Sequence, residues 1–344
     1  MIKALSLASW PGLLPGLAVA GAVALAATFV SSLHGGPLLL YALFFGIALN
    51  FLSSRPATKP GIEFGARTVL RLGVGLLGAR ITASQVLALG WPTALVVVTA
   101  VATTLALAVW VGGRLGLSRT KSVLAGGSVA ICGASAALAI SAVLPREKDG
   151  ERYTLMVVVS VTVLSTLAMV LYPLAVRAFN LPPALGGLFL GGTIHDVAQV
   201  VGAGYTIDTA TGDVATIVKL FRVALLAVVV AVVSWSFAAQ RISDAKEAAL
   251  SGDGRKPARQ PLLPWFLWLF VAMVALNSVF GLPADVAQGL NAVSRGCLVL
   301  AIAALGIKTS FMQLARLGWR PLALIVFETL WLALFVGVAV LVMR

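Results

Sequence analysis

The sequence predicts an all-α polytopic membrane protein of about eleven transmembrane helices, and three observations carry that prediction. Hydrophobic residues make up 60% of the 344 and charged residues only 11%, with a mean hydropathy of +1.02. Soluble domains carry roughly 25% charged residues. The apolar runs are about 20 residues long and rich in Ala, Leu and Val, which suits helices crossing a hydrocarbon core and not the short alternating strands of a barrel. The lysines and arginines gather in particular loops, so the net charge of +13 reads as a topology signal and not as a nucleic-acid footprint. Cys132 and Cys297 both lie in apolar runs, which argues against a disulfide framework.

Spans fall near 12–32, 36–53, 64–85, 92–112, 122–143, 153–175, 184–204, 214–237, 264–281, 286–307 and 320–343. The first follows Lys3, and no compelling small-residue cleavage site succeeds it, so it reads as a span and not a signal peptide. If each run crosses once, Arg55, Lys59, Arg114, Arg119, Lys121, Arg177, Arg316 and Arg320 share one side. Loop 238–263, with Arg241, Lys246, Arg255, Lys256 and Arg259, lies on that side too and reads as a solvated cytoplasmic linker. The other side holds the charge-balanced REKDGER of 146–152 and the acidic YTIDTATGD of 205–213. Positive loops mark the cytoplasm, which places the N-terminus inside and the C-terminus outside a single transmembrane domain covering 1–344.

The chain contains an internal repeat. Residues 67–91 align without gaps to 295–319, matching Arg67 with Arg295, Leu70 with Leu298, Leu72 with Leu300, Leu77 with Leu305, Gly78 with Gly306 and Gln85 with Gln313, and then two Leu-Gly-Trp triplets. Arg80 meets Lys308, and Thr82 meets Ser310. One span earlier, Ala48, Leu49 and Asn50 meet Ala275, Leu276 and Asn277. Two unrelated Leu/Ala-rich helices would not match at Arg, Gln and Gly-Trp as well. An odd number of spans separates the copies, so the units, about 36–112 and 264–343, run in opposite directions. Inverted repeats are a signature of secondary transporters, whose substrate sites lie near the midplane.

Between the copies, a central region of about 122–237 reads as broken helix. In GGTIHDVAQVVGAG (191–204) an ionisable pair, His195 and Asp196, sits between Gly191–Gly192 and Gly202–Gly204, next to Thr193 and Gln199. Glycine costs a helix about 1 kcal/mol per residue, and freed backbone at membrane depth must face protein or a watered cavity. An acid beside a histidine there reads by default as a site, against the plainer reading of a loop between two helices. AGGSVAICGASAALAI (125–140), with Gly126, Gly127, Ser128, Gly133 and Ser135, echoes LGGTIHDVAQVVGAGY (190–205). Half-helix N-termini in such breaks present N–H groups and a positive dipole end to an anion. Small residues are equally at home in close helix packing. An even number of spans separates these two segments, so either one is re-entrant or the echo is coincidental.

The other charged candidates are Arg67, Arg71, Lys219, Arg222, Arg295 and Glu328. Lys219 and Arg222 lie one turn apart on one helix face. Arg67, near its span's entrance, has a snorkelling explanation that the deeper Arg295 lacks. Glu328 lies close to mid-depth, either as a site residue or as the ion-pair partner of one of these arginines. Cations outnumber acids here, which favours an anionic substrate, and the guanidinium fork suits oxyanions.

GGSVAICGASA, GGTIHDVAQVVGAG and the ALGIKTSF segment (304–311) resemble the bacterial inner-membrane family labelled sulfate exporters, over roughly 36–343. That family is distantly similar to the bile-acid/sodium symporter and cation/proton antiporter superfamily. The resemblance implies a secondary transporter of sulfate or a related sulfur oxyanion, multi-pass in the inner membrane, that exports by alternating access. Coupling to H⁺ or Na⁺ through Asp196, with His195 sharing the proton, follows from the site reading, because an unperturbed imidazole titrates near pH 6.5. Two other classes stay open: a cation/proton antiporter using Asp196 and Glu328, and a non-transporting sensor or subunit. No HExxH, CxxC or Walker pattern points to an enzyme or to a cofactor. The expected partners are a small inorganic anion, the coupling ion and the bilayer, with a homodimer as the oligomeric reading and no nucleic acid.

Overall fold

A computed structural model describes residues 10–34, 38–145, 147, 149–238, 240, 265–309 and 318–344, and among these the regular structure is entirely helical. Most of linker 238–263, the repeat positions Ser310, Gln313 and Leu317, and the loop cation Arg316 lie outside the described residues, as do Arg146 and Lys148. Six helices are long and apolar enough to cross a bilayer: Pro11–His34, Gly90–Arg114, Arg152–Ala178, Thr209–Ser236, Ala284–Lys308 and Trp319–Val342. Shorter apolar helices are Leu38–Ala48, Val197–Ile207 and Trp265–Phe280. Large apolar side chains such as Leu25, Trp110, Leu174, Val232 and Leu334 stand exposed around the outside, as expected of a surface solvated by lipid.

One group of helices forms a panel. It comprises α1 (Trp10–His34), α2 (Leu38–Ala48), and α3 (Lys59–Phe64), which runs through a π-turn at Gly65–Val69 into α4 (Leu70–Leu77). A 3-10 turn at Gly78–Arg80 ends α4, and α5 (Ala83–Ala88) restarts on a Thr82–Gln85 capping box. Two later helices, α13 (Trp265–Phe280) and α14 (Ala284–Lys308), complete the panel. Glycine sets how closely they approach. A Cβ at Gly306 would run into the Leu43 carbonyl, and one at Gly78 into the Phe270 carbonyl, so only hydrogen fits at either crossing. Two asparagines staple the same crossings. Asn50 Nδ2 donates to Ile307 O at 2.8 Å, and Asn277 Nδ2 donates to Ile81 O at 3.3 Å.

The second group holds α6 (Gly90–Arg114), α9 (Gly150–Ala178), α12 (Thr209–Ser236) and α15 (Trp319–Val342), wrapped around two broken segments. The first is α7 (Arg119–Ala130) and α8 (Ala134–Ser141). The second is α10 (Pro183–Thr193) and α11 (Val197–Ile207). Each doubles back. Ser118, the N-cap of α7, donates from Oγ to Glu147 Oε1 at 2.7 Å, and Lys121 Nζ lies 3.7 Å from Glu147 Oε2, so both ends of the first segment are together. Arg177 Nη2 donates to Thr206 O at 2.9 Å, which joins the ends of the second. Helix α9, 29 residues long and thus about 43 Å, has Tyr153 against Lys121 near its start and Arg177 near its end. The two hairpins therefore enter from opposite ends of the molecule. Their tips meet at the middle of α9, where Val161 packs beside Gly133 and Ser165 Oγ accepts from Asp196 N at 3.0 Å.

This corrects the expectation that every apolar run crosses once. Helix α7 has 12 residues and α8 has 8, about 18 and 12 Å, and neither reaches across a core of about 30 Å. Composition could not reveal it, because a hairpin and a crossing contain the same length of apolar sequence. Glu147 of the REKDGER loop consequently shares an end with Lys121, and Arg177 sits at the other end with Thr206. Single cysteines replacing Ser118 and Glu147 should both react with an impermeant thiol reagent from one face of the membrane, and one replacing Thr206 from the other. Labelling of Glu147→Cys and Thr206→Cys from the same face would overturn the hairpin arrangement.

Candidate functional site

Breaking a helix leaves carbonyls without partners at its C-terminal end and N–H groups without partners at the start of the next. At depth in a membrane neither set can turn to water. Here the carbonyls are met by two cations from the middle of α12. Lys219 Nζ donates to Ile131 O at 2.5 Å and to Ile194 O at 2.9 Å, one from each hairpin tip. Arg222 donates from Nε to Ala130 O at 3.1 Å, from Nη1 to Gly191 O at 3.0 Å and Ile194 O at 3.3 Å, and from Nη2 to Val129 O at 3.1 Å and Ala130 O at 2.7 Å. Both side chains are buried. The pair thus sits at the negative dipole ends of α7 and α10, where a cation is favoured. The turn in the first hairpin also needs Gly133, whose φ of +61° is closed to most residues; its N–H donates back to Ser128 O at 2.8 Å.

The helix starts lie on the other side of the breaks, and there is a cavity of about 310 Å³ against them. Ala134 and Ser135 bring the N-terminal turn of α8 to its wall, and Asp196 and Val197 bring that of α11. Asp196 caps its own helix, with Oδ1 accepting from Ala198 N at 2.9 Å. Helix α8 starts from Gly133 without a side-chain cap. Opposite, the panel contributes Arg67 from the π-turn, Arg71 from α4 and Lys308 from the end of α14, while Thr162 of α9 adds a hydroxyl. Among the described residues, three cations face one carboxylate.

The adjacent His195 and Asp196 part company. Extended backbone at Ile194 and Asp196 sends neighbouring side chains to opposite sides. Asp196 reaches the cavity, whereas His195 turns away and is buried, its Nε2 3.0 Å from Thr329 Oγ1 on α15. That hydroxyl spends its own proton on Ile325 O at 2.7 Å, so the imidazole donates through Nε2. A proton shared directly between the two is therefore not available in this conformation.

The remaining expected site residues divide. Ser135 lines the cavity. Gly126, Gly127, Gly191 and Gly192 provide close approach, packing against Ala108, Ile140, Ala215 and Val336 respectively. The helix breaks fall at 131–133 and 194–196, so apart from Gly133 the glycines do not make them. Ser128 and Thr193 bond back to Leu124 O and Phe189 O in their own helices, and Gln199 Nε2 donates to Thr166 Oγ1 at 3.0 Å. Lys219 and Arg222, expected to face a substrate, are committed to the hairpin carbonyls instead. Glu328 is fully buried on α15 with neither oxygen hydrogen-bonded, and the two ion pairs among the described residues, Arg80–Asp213 and Lys121–Glu147, do not include it. The alternative of an ion pair with an arginine is not formed among the described residues. Arg295 does not reach this cavity; it stands exposed near the opposite end of the panel.

The cavity's own cations were harder to see in the sequence. Arg67 and Arg71 are spaced i, i+4 on one helix face, the one local signal available, and the plainer explanation for a charge near a span's end is snorkelling. Lys308 looks like a helix-terminal cation, and only packing brings it beside the other two.

An all-helical, polytopic membrane protein with two hairpins meeting tip to tip beside a cationic cavity is the class these features define. The chain belongs to the UPF0324 membrane protein family. Residues 11–325 match the family described as Conserved hypothetical protein 698. The chain is 50% identical over 323 residues to the UPF0324 membrane protein TauZ of Paracoccus pantotrophus, covering 94% of this chain and 93% of that one. It is 46% identical over 323 residues to a UPF0324 membrane protein of Chlorobaculum tepidum, covering 94% and 87%. A relative in Rhizobium meliloti is 43% identical over 322 residues, covering 94% and 91%. No solved structure matches the chain.

Because Arg222 satisfies carbonyls of both tips, Arg222→Met should cost on the order of 3 kcal/mol of stability, read as a lowered melting temperature in detergent. Arg71→Ala, which opens onto the cavity, should melt near the wild type. Equal melting of all three proteins would remove Arg222 from this structural role.

Proposed function

We propose that this protein is a secondary active transporter that moves a small oxyanion, sulfate or a related sulfur anion, out of the cell by alternating access. The observation that carries the reading is the cavity, where Arg67, Arg71 and Lys308 and the uncapped start of α8 converge. A desolvated divalent anion needs compensating charge of this kind, and a helix start offers N–H donors that select for an anion. The volume of about 310 Å³ leaves room for a tetrahedral oxyanion with part of its hydration. Asp196 is the one carboxylate in the wall among the described residues and serves as the coupling group, taking up a proton or Na⁺ so that the loaded site changes charge between the two access states.

The fold supports the same reading. Counting each hairpin as re-entrant leaves nine full crossings, by α1, α2 extended by the 3-10 helix Asn50–Ser54, α3–α4, α6, α9, α12, α13, α14 and α15, with the N-terminus inside and the C-terminus outside an inner membrane. One crossing, α9, then separates the two hairpins, which makes the echo between 125–140 and 190–205 an inverted one. The paired contacts Asn50–Ile307 and Asn277–Ile81 are what an inverted repeat of 36–112 and 264–343 produces, each copy's asparagine holding the other copy's helix end. On this topology the cavity faces the cytoplasm.

A second reading, cation/proton exchange through Asp196 and Glu328, is favoured by one observation: both Glu328 oxygens are buried without a donor. Purified protein in liposomes separates the two. Saturable counterflow of radiolabelled sulfate, reduced at least tenfold in Arg71→Ala, is the expected result. Sodium-dependent proton flux without anion movement would sink the exporter reading. In the same liposomes Asp196→Asn should lose the pH dependence of flux while remaining folded, and wild-type pH dependence in that variant would reduce Asp196 to a helix cap.

A further inference from the structure

A second chamber of about 220 Å³ lies between the panel and the hairpin group at the other end of the molecule, lined by Leu77, Arg80, Tyr205, Asn291, Arg295 and Leu298 among others. Four of these residues have repeat partners, and all four partners line the cavity already described. Arg67 aligns with Arg295, Leu70 with Leu298, Leu77 with Leu305 and Arg80 with Lys308. The inner cavity holds Arg67, Leu70, Leu305 and Lys308. The outer chamber holds Arg295, Leu298, Leu77 and Arg80. Each of these four pairs, and Arg71 with Val299 beside them, is split between the chambers in the same swapped sense.

The two chambers differ in how their cations are engaged. Arg80 Nε lies 3.3 Å from Asp213 Oδ1 on α12, its guanidinium stands over the Tyr205 ring of α11 at 5.7 Å, and Tyr205 Oη donates to the same Asp213 oxygen at 2.6 Å. This cluster ties the panel to the hairpin group across the outer end. Arg295 has no hydrogen-bond or ion-pair partner among the described residues, and Asn291 Oδ1 beside it is buried without a donor. The outer chamber thus contains an exposed cation with no partner among the described residues and an unmet polar group, beside an ionic clasp.

We propose that the outer chamber is the anion's second site, with Arg295 and Arg80 as its cations, and that Arg80–Asp213–Tyr205 is the clasp that shuts it in this conformation. Opening the outer end breaks the clasp and frees Arg80 to join Arg295 on the anion, as Lys308 joins Arg67 at the inner end. The inference rests on the anion reading of the inner cavity, and the probe for both is inorganic sulfate. It deepens that reading by giving the anion a place on each side of the midplane.

The test uses full-length protein lacking native thiols (Cys132→Ala, Cys297→Ala) and two aligned reporters, Leu298→Cys in the outer chamber and Leu70→Cys in the inner one. Outer labelling by an impermeant thiol reagent should be slow, and should quicken roughly tenfold in Asp213→Asn, equivalent to about 1.4 kcal/mol. Tyr205→Phe, which keeps the ring beneath Arg80 but removes one bond to Asp213, should act in the same direction more weakly. In the unclasped protein millimolar sulfate should slow outer labelling, and Arg295→Ala should abolish that protection while leaving sulfate protection of Leu70→Cys intact. Unchanged labelling in both clasp variants overturns the clasp. Sulfate protection at Leu70→Cys alone overturns the outer site and leaves the inner reading standing, whereas protection at neither position removes both.

Discussion

The structure depends on one obligation: carbonyls exposed by two helix breaks in the middle of the molecule must find donors where water is absent. Lys219 and Arg222 discharge it for both hairpins at once, because they lie one turn apart on α12 between the two tips. A neutral side chain there would have too few donors, and a single cation would reach too few carbonyls. With the C-terminal ends of α7 and α10 neutralised, the N-terminal ends of α8 and α11 are left to set the field on the far side of the breaks. One carries its own carboxylate cap in Asp196 and the other has none. The cavity's positive character therefore starts in the backbone and is reinforced by Arg67, Arg71 and Lys308.

Around this centre the molecule divides into a panel drawn together by glycine and asparagine and a group of helices that carries the hairpins. Gly78 and Gly306 let backbones touch at the two panel crossings, and Asn50 and Asn277 bond the helix ends that emerge there. Cationic chambers form where panel and hairpin group face each other, one at each end. At the outer end an ion pair bridges the seam; at the inner end the facing cations remain around open volume. A ligand can bias such a seam only by binding its two arrangements differently.

Much of this was legible in the sequence, and much of it only as residue types. Composition and run length established a helical membrane protein, because a bilayer admits few other solutions. Gapless matching of 67–91 to 295–319 identified the positions that later turn out to be split between the two chambers. The stretch 191–204 reads as a break on its flanking glycines and as a site on its acid and histidine; the break falls at 194–196, on the pair itself, and the glycines serve close packing. What the helix pattern could not say is that the break turns the chain around, because periodicity records which face is apolar and not where the next segment goes.

The sequence by itself determined the solvent in which this protein folds, the helical class and the excess of cations over acids within the apolar runs, because each follows from local chemistry and hydropathy. Tertiary structure alone decided which cations are structural and which are free. Lys219 and Arg222 look like ligands for an anion until the hairpin tips close on them, and Lys308 looks like a helix terminus until α14 brings it beside Arg67 and Arg71. His195 and Asp196 look like one site until extended backbone turns them to opposite sides. In each case the deciding quantity is how many donors and acceptors reach the same few cubic ångströms, and that depends on which distant segments the fold brings together.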